Sequence, residues 1–406
     1  MRLRARDAGP AVIVAMLSTP DAPAIPHHSD DEPDVTLAIV GQALIKVDPR
    51  QQSSNPFAGV QPILRDADLA FTNFEMAVDD DCGVPPDYQV SLGEPELDEV
   101  RRPGNAGGPH AVQGNVMEFL ASLNFRLQSL ANNHSWDLGD CGVLATMAAA
   151  ERYGVTHAGT GRNLDEATRA AIIEVKGLRI ALLAATTSRD ERDLILPTAS
   201  SPGVNGVWIG RQDDWDRNIE AIRSAARRAD FVIYYQHFQI TSEELSGDRS
   251  DRVQGHRDIG DVREWQSRFA RAVIDAGAGM YIAHGERIFD GIEIYRGRPI
   301  VRQFGGFAYQ GLQDEGSYDP LVWEGLLGLV TIQAGRVRSL EVLPLRLDEG
   351  RQSDYDSPVE FRQKRGFSDL AAGEHGRRIL QRFVELSRAY GTNVRLEEGR
   401  VLIEGW

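Results

Sequence analysis

The chain has 406 residues, of which 60 are acidic and 44 basic, giving a formal net charge of −16. A hydrophobic share of 42% and a charged share of 26% exclude wholesale disorder, and the length allows two or three units or one large α/β domain with appendages. The acidic excess argues against nucleic acid or an anionic membrane surface as main partner, and no apolar run reaches the roughly 18 residues of an integral membrane segment.

Cys82 and Cys141 are the only cysteines, so neither a disulfide framework nor a four-cysteine zinc site is available. One bridge between them stays open, with two reduced thiols the plainer expectation. Residues 1–34 are rich in Pro, Asp, Ser and His without apolar periodicity, and read as a flexible N-terminal extension. Met1–Arg6 is basic, Ala11–Leu17 apolar, and Ala22-Pro23-Ala24 loosely resembles a cleavage site. Asp7 and Pro10 interrupt that pattern, so the expectation is a cytoplasmic chain, with secretion or a periplasmic location as the alternative.

Regular structure is predicted from Val35–Val40, a short β-branched run ended by Gly41. Similar strand-like runs follow at 69–73, 126–130, 180–184, 231–235 and 280–283. Helical periodicity predicts helices over Leu144–Tyr153, Asp214–Ala229 and Glu264–Ala276. This alternation indicates an α/β fold with buried strands. Runs at 292–295, 299–302 and 328–332 add β structure and suggest a second sheet. Residues 35–346 read as the main domain, and 347–406 as a C-terminal helix and hairpin packing on it.

Ligands of α/β folds bind where the loops after the strands converge. The polar residues at those ends are Gln42, Asn73, Glu75, Asn132, Asn133, His134, Thr186, Thr187, His237, His284 and Glu286. Lys46 and Asp48 read as loop charges. His27, His28, His110, His157, His256 and His375 lie off the strand ends and read as structural or surface groups.

The segment Leu130-Ala131-Asn132-Asn133-His134, continued by Asp137 and Gly139, resembles the "ANNHxxDxG" segment of the CapA family of capsule and poly-γ-glutamate synthesis proteins. Ala67–Glu75, Gly159-Thr160-Gly161, Ile274–Ala278 and Gly291-Ile292-Glu293 are similar to further family segments. The resemblance covers about residues 35–346 and continues more weakly to the C-terminus. It implies a calcineurin-like metallophosphoesterase fold, a four-layer α-β-β-α sandwich with a C-terminal helical extension. The family's usual Gly-Asp appears as Gly41-Gln42, its Gly-His-His-Pro-His type segment as Ala283-His284-Gly285-Glu286-Arg287, and its His-Trp-Gly as His237-Phe238-Gln239. Gln42 removes an anionic ligand and Arg287 brings a cation, so a binuclear metal centre is not expected. The expectation is no cofactor, or a single divalent ion on Glu75, Asn133, His237 and His284.

Within that frame His134, His237, His284 and Glu75 are the candidate catalytic acid/base groups, with Asp137 or Glu75 orienting His134. Gln42, Asn73, Asn133 and Arg287 are the candidate substrate-binding groups. The preferred reading is an enzyme acting on a carbonyl- or carboxylate-containing, peptide-like substrate, by proton abstraction (epimerase, isomerase or lyase) or amide hydrolysis. A metal-dependent phosphoesterase and a non-catalytic capsule or polyglutamate assembly component are the alternatives. The sequence leaves the oligomeric state open.

Overall fold

The computed structural model describes residues 33–80, 82, 110–187, 197–239, 259–311 and 314–406. Residues 1–32, with the signal-like stretch, His27 and His28, lie outside the described residues, as does His256.

Two mixed sheets carry the fold. The first contains β1 (Val35–Val40), β2 (Leu69–Asn73), β3 (Leu127–Ser129) and β4 (Thr156–Ala158), paired in parallel in that order. The second is built from β5 (Ala171–Val175), β6 (Leu178–Thr187), β7 (Phe231–Phe238), β8 (Met280–His284), β9 (Ile292–Tyr295) and β10 (Arg298–Val301). Its order is β9-β10-β8-β7-β6-β5, with β6, β7, β8 and β10 parallel. The long antiparallel pair β11 (Glu324–Gln333) and β12 (Arg336–Leu347) extends the first sheet beyond β1.

Strand periodicity accounts for the layering, because successive side chains point to opposite faces. Val35, Leu37 and Ile39 of β1 and Leu69 and Phe71 of β2 share one core with Ile180, Leu182, Phe231, Ile233, Tyr235, Met280 and Ile282 of the second sheet. The intervening residues Ala38, Val40 and Ala70 pack instead with α1 (Asn115–Ser122) and α2 (Gly139–Arg152). Ala181, Leu183, Val232, Tyr234 and Tyr281 likewise pack against α3 (Gln212–Ala226) and α4 (Ile259–Asp275). The result is a four-layer α-β-β-α sandwich. Each large aliphatic or aromatic side chain buried in it contributes about 1.5–3 kcal/mol before entropy is counted.

The tail adds α5 (Gly373–Ala389) and the strands β13 (Asn393–Glu397) and β14 (Arg400–Glu404), the last pairing with β12. Ile379, Leu380 and Phe383 of α5 join the inter-sheet core, so the C-terminal segment is part of the same packed body.

Two details depart from the sequence expectation. Helix α2 starts at Gly139, five residues before the predicted start at Leu144. Glycine propensity argues against helix there, but a Cβ on Gly142 would stand 2.5 Å from the Leu138 Cβ, so that turn requires a residue with no side chain. The two cysteines are also not reduced thiols. Cys82 and Cys141 form a disulfide with Cα atoms 5.6 Å apart, tying the chain after β2 to the start of α2. Tertiary folding brings together positions 59 residues apart in sequence, a proximity invisible in the spacing.

Candidate functional site

The side-chain alternation that builds the inter-sheet core also builds the site. On β7 the inward series Phe231, Ile233, Tyr235 continues to His237; on β8 the series Met280, Ile282 continues to His284. Register places Thr186 beside His237 and His237 beside His284. From the first sheet Leu69 and Phe71 continue to Asn73, with Glu75 two residues on. The C-terminal ends of both sheets thus replace apolar core by amide, imidazole and carboxylate. Gln42, Asn73, Glu75, His237 and His284 are all at most 2% exposed.

Two glycines make this geometry attainable. A Cβ at Gly41 would stand 2.0 Å from the Gly305 carbonyl oxygen, so only glycine lets the chain before Gln42 pass the Phe304–Phe307 segment. The Gln42 amide N–H donates to that same Gly305 carbonyl at 3.2 Å. Gly285 has φ +133°, and a Cβ there would meet the Phe238 backbone at 2.6 Å; it turns the chain immediately after His284.

His134 sits on the loop after β3. Its Nδ1 is 2.8 Å from Asp137 Oδ2, an oxygen that also accepts the His110 backbone N–H at 2.6 Å. The His110 ring lies parallel to His134 with centroids 3.8 Å apart. Burial opposes charging of His134, but the charge and hydrogen bond of Asp137, with the charge of Glu75, outweigh it and raise the imidazole above its ordinary value. Glu75 moves the other way for a carboxylate. Burial lifts it from 4.5 to about 7, although the charges of His134 and Arg287 pull it down. His237, whose Nε2 is 3.8 Å from Glu75 Oε1, is pushed down to about 3 by burial and the charges of His134 and His284. Burial alone pushes His284 down to about 3. At neutral pH the site therefore holds two neutral imidazoles, one imidazole biased toward the cation, and one carboxyl near its midpoint.

Several buried polar atoms here have no hydrogen-bond partner among the described residues: Gln42 Oε1, Asn73 Nδ2, Glu75 Oε2, His237 Nε2 and both ring nitrogens of His284. Buried polar groups are normally satisfied, so a group of orphans at adjoining strand ends marks a candidate ligand position. Gln42 offers a neutral amide rather than a carboxylate, and the Arg287 cation acts on Glu75; both weaken the donor set for a pair of metal ions. Among the described residues, the trio of His, Asp or Glu groups with ligand atoms within 4.8 Å of one another is His110, His134 and Asp137, not Glu75 with His237 and His284.

Of the sequence candidates, Glu75, His134, Arg287 and His237 share one electrostatic neighbourhood, with His284 and Asn73 at adjoining strand ends. Asn133 meets this group through His134 alone. It is exposed and its Nδ2 lies 3.1 Å from His134 Nε2. Asn132 takes the buried place, donating from Nδ2 to the Phe74 carbonyl at 2.8 Å and to Asn73 Oδ1 at 3.3 Å. Two residues were not legible as site groups. His110, off any strand end, is buried against His134, and Lys46 is only 7% exposed and close enough to Asp137 and His134 to act on their charges. The phase of the doubled Asn-Asn pair could have separated Asn132 from Asn133; no local signal marks Lys46.

Comparison with known proteins places these features. The sequence profile described as "Bacterial capsule synthesis protein PGA_cap" matches residues 36–310. The PGA biosynthesis protein CapA of Bacillus subtilis is 25% identical over 71% of this chain and 66% of its own length. The capsule biosynthesis protein CapA of Bacillus anthracis is 23% identical over 83% and 72%. An uncharacterized protein of Sinorhizobium fredii, y4sH, is 22% identical over 89% and 91%. A solved structure assigned as a 5′-nucleotidase from Staphylococcus aureus, in complex with alpha-ketoglutarate, aligns with a TM-score of 0.41 at 12% identity; the alignment covers 87% of this chain and 58% of that one.

Proposed function

The chain belongs to the bacterial capsule synthesis protein PGA_cap family, and on that premise we propose that it is an acid–base enzyme acting on a carboxylated, peptide-like substrate. The observation that carries the reading is the pairing of Glu75, lifted to about 7, with His134, held toward its protonated form by Asp137. A base and an acid at the ends of neighbouring strands, the carboxyl raised to about 7 and the imidazole biased toward its protonated form, suit proton transfer at a substrate carbonyl. Glu75 takes the proton, from an acidic Cα–H or from an attacking water. His134 donates to the developing oxyanion or to the leaving amine. His237 and His284, neutral at working pH, act as hydrogen-bond partners for the substrate. Gln42 and Asn73 orient its carbonyl or amide, and Arg287 pairs with a carboxylate.

The test is turnover of γ-glutamyl and α-glutamyl peptides in deuterated water, with Glu75→Gln and His134→Asn as controls. Deuterium at a substrate carbon identifies proton abstraction, and a new amine identifies hydrolysis. Undiminished activity in both variants would overturn the reading.

A second reading has one observation in its favour. The 3.8 Å separation of Glu75 and His237 suits two ligands of a single divalent ion, with Gln42 Oε1 as a neutral third. Such an ion would polarise the substrate carbonyl. Metal analysis of the purified protein, and chelator sensitivity of its activity, decide between the two.

A further inference from the structure

We propose that His110 is a positioning residue for the acid: its ring covers one face of the His134 imidazole and its backbone N–H holds Asp137, so that His134 keeps a single ring orientation in the cleft. The inference rests on the acid–base reading above and adds to it a residue that lies off every strand end of the two large sheets.

A histidine ring is loosely defined by its own torsions, because χ2 is broad and roughly two-fold. The 2.8 Å contact of His134 Nδ1 with Asp137 Oδ2 holds one ring atom and leaves the ring plane free to swing about it. The His110 ring supplies the missing constraint. The two imidazoles are 5° from parallel with centroids 3.8 Å apart, and His110 is itself buried. An aromatic face at that distance also favours the cationic form of the acid. The same residue acts on the carboxylate. The His110 N–H donates to Asp137 Oδ2 at 2.6 Å, so one oxygen accepts from both histidines. An ionised carboxylate only accepts, so Nδ1 carries a hydrogen and Nε2 is the nitrogen left to deliver a proton.

The backbone ties His110 to the base as well. Ala77–Val78, just beyond Glu75, pairs in parallel with Ala111–Val112, and the Ala77 N–H donates to the His110 carbonyl at 2.8 Å. The Val78 N–H donates at 2.8 Å to Thr146 Oγ1 on α2, and the Cys82–Cys141 disulfide anchors the same segment to that helix. Helix α2 begins two residues after Asp137. Glu75, His110 and the loop carrying His134 and Asp137 are thereby braced against one another, and the His110 ring is the part of that brace stacked on the acid.

Two substitutions in the full chain separate the ring face from packing. His110→Leu fills the space without an aromatic face, and His110→Phe keeps the face without a titratable nitrogen. One readout is the His134 Nδ1–H resonance in proton NMR, identified by its loss in His134→Asn. The other is kcat and KM on a glutamyl peptide. In His110→Leu the Nδ1–H should exchange with water about tenfold faster, and kcat should fall about tenfold while KM changes less than about twofold. His110→Phe should recover most of both. Wild-type exchange and kcat in His110→Leu would overturn the proposal, and so would a Phe variant as impaired as the Leu variant. Lower unfolding stability with an unmoved Nδ1–H exchange rate would reduce His110 to a packing residue and overturn it too. The NMR measurement needs no substrate, so the two ideas fail separately. Absent turnover refutes the acid–base reading and leaves the exchange effect standing, whereas unmoved exchange beside an active wild type refutes the positioning role alone.

Discussion

Replacing Glu75 by Gln should make the protein more stable, and increasingly so as pH rises. Glu75 is 2% exposed, and burial lifts its carboxyl from 4.5 to about 7. A carboxyl whose folded value exceeds its unfolded value contributes its full stability below the unfolded value, and loses it as pH rises through the folded one. The whole span, at about 1.4 kcal/mol per tenfold in proton affinity, is about 3 kcal/mol. Gln keeps the shape and removes the charge, so its advantage over wild type should be about 1 kcal/mol near pH ~5.5. Near pH ~8.5, where both states of wild type are ionised, it should approach about 3 kcal/mol. Urea unfolding of both proteins at the two pH values reads this directly. A constant advantage at both would mean that Glu75 is not desolvated as described. Lower stability of the variant at the higher pH would mean that the ionised carboxylate has a compensating partner, and the base role would fall with it.

Other outcomes follow from neighbouring groups. His237 and His284 are both pushed down to about 3, so the unfolded chain binds protons that the folded chain refuses as pH falls below about 6.5. His284→Gln should remove about one proton, or about 1.4 kcal/mol per pH unit, from that acid destabilisation, measured between about pH 4 and 6. Asp137→Asn should lower the His134 value, moving the alkaline limb of the pH–rate profile to lower pH and reducing kcat about 10²-fold; an unmoved limb would remove His134 as the acid. The disulfide closes a span of 59 residues, and Cys141→Ser should cost about 2–4 kcal/mol in unfolding free energy, with no loss in the presence of reductant beyond that of wild type.

How far the sequence could lead is best judged residue by residue. The β-branched runs at 35–40, 180–184 and 231–235 were readable because buried parallel strands demand continuous apolar side chains. The same rule made His237 and His284 visible, since a polar residue ending such a run has few structural reasons to be there. Gln42 and Arg287 stood out against the family pattern for the same kind of reason. What stayed hidden depends on contacts between distant segments. Lys46 meets Gln310 across 264 positions, and nothing local distinguishes it from a solvated lysine. Cys82 finds Cys141 only when the chain after β2 packs on α2. Asn132 and Asn133 are both polar groups at one strand end, and only the backbone phase decides that Asn132 is the one bonded inward, to the Phe74 carbonyl.

The placement of His237 at the end of an alternating series makes strand register a chemical quantity. Deleting one residue within β7, upstream of position 237, would move Gln236 or Phe238 toward the cleft and turn the imidazole toward the outer helices, while hydrophobic composition hardly changed. A deletion of two would restore the face but shorten the reach. Length variation in this fold should therefore accumulate in the segments between strands and be purged inside β7 and β8, even where every substituted residue would pack well.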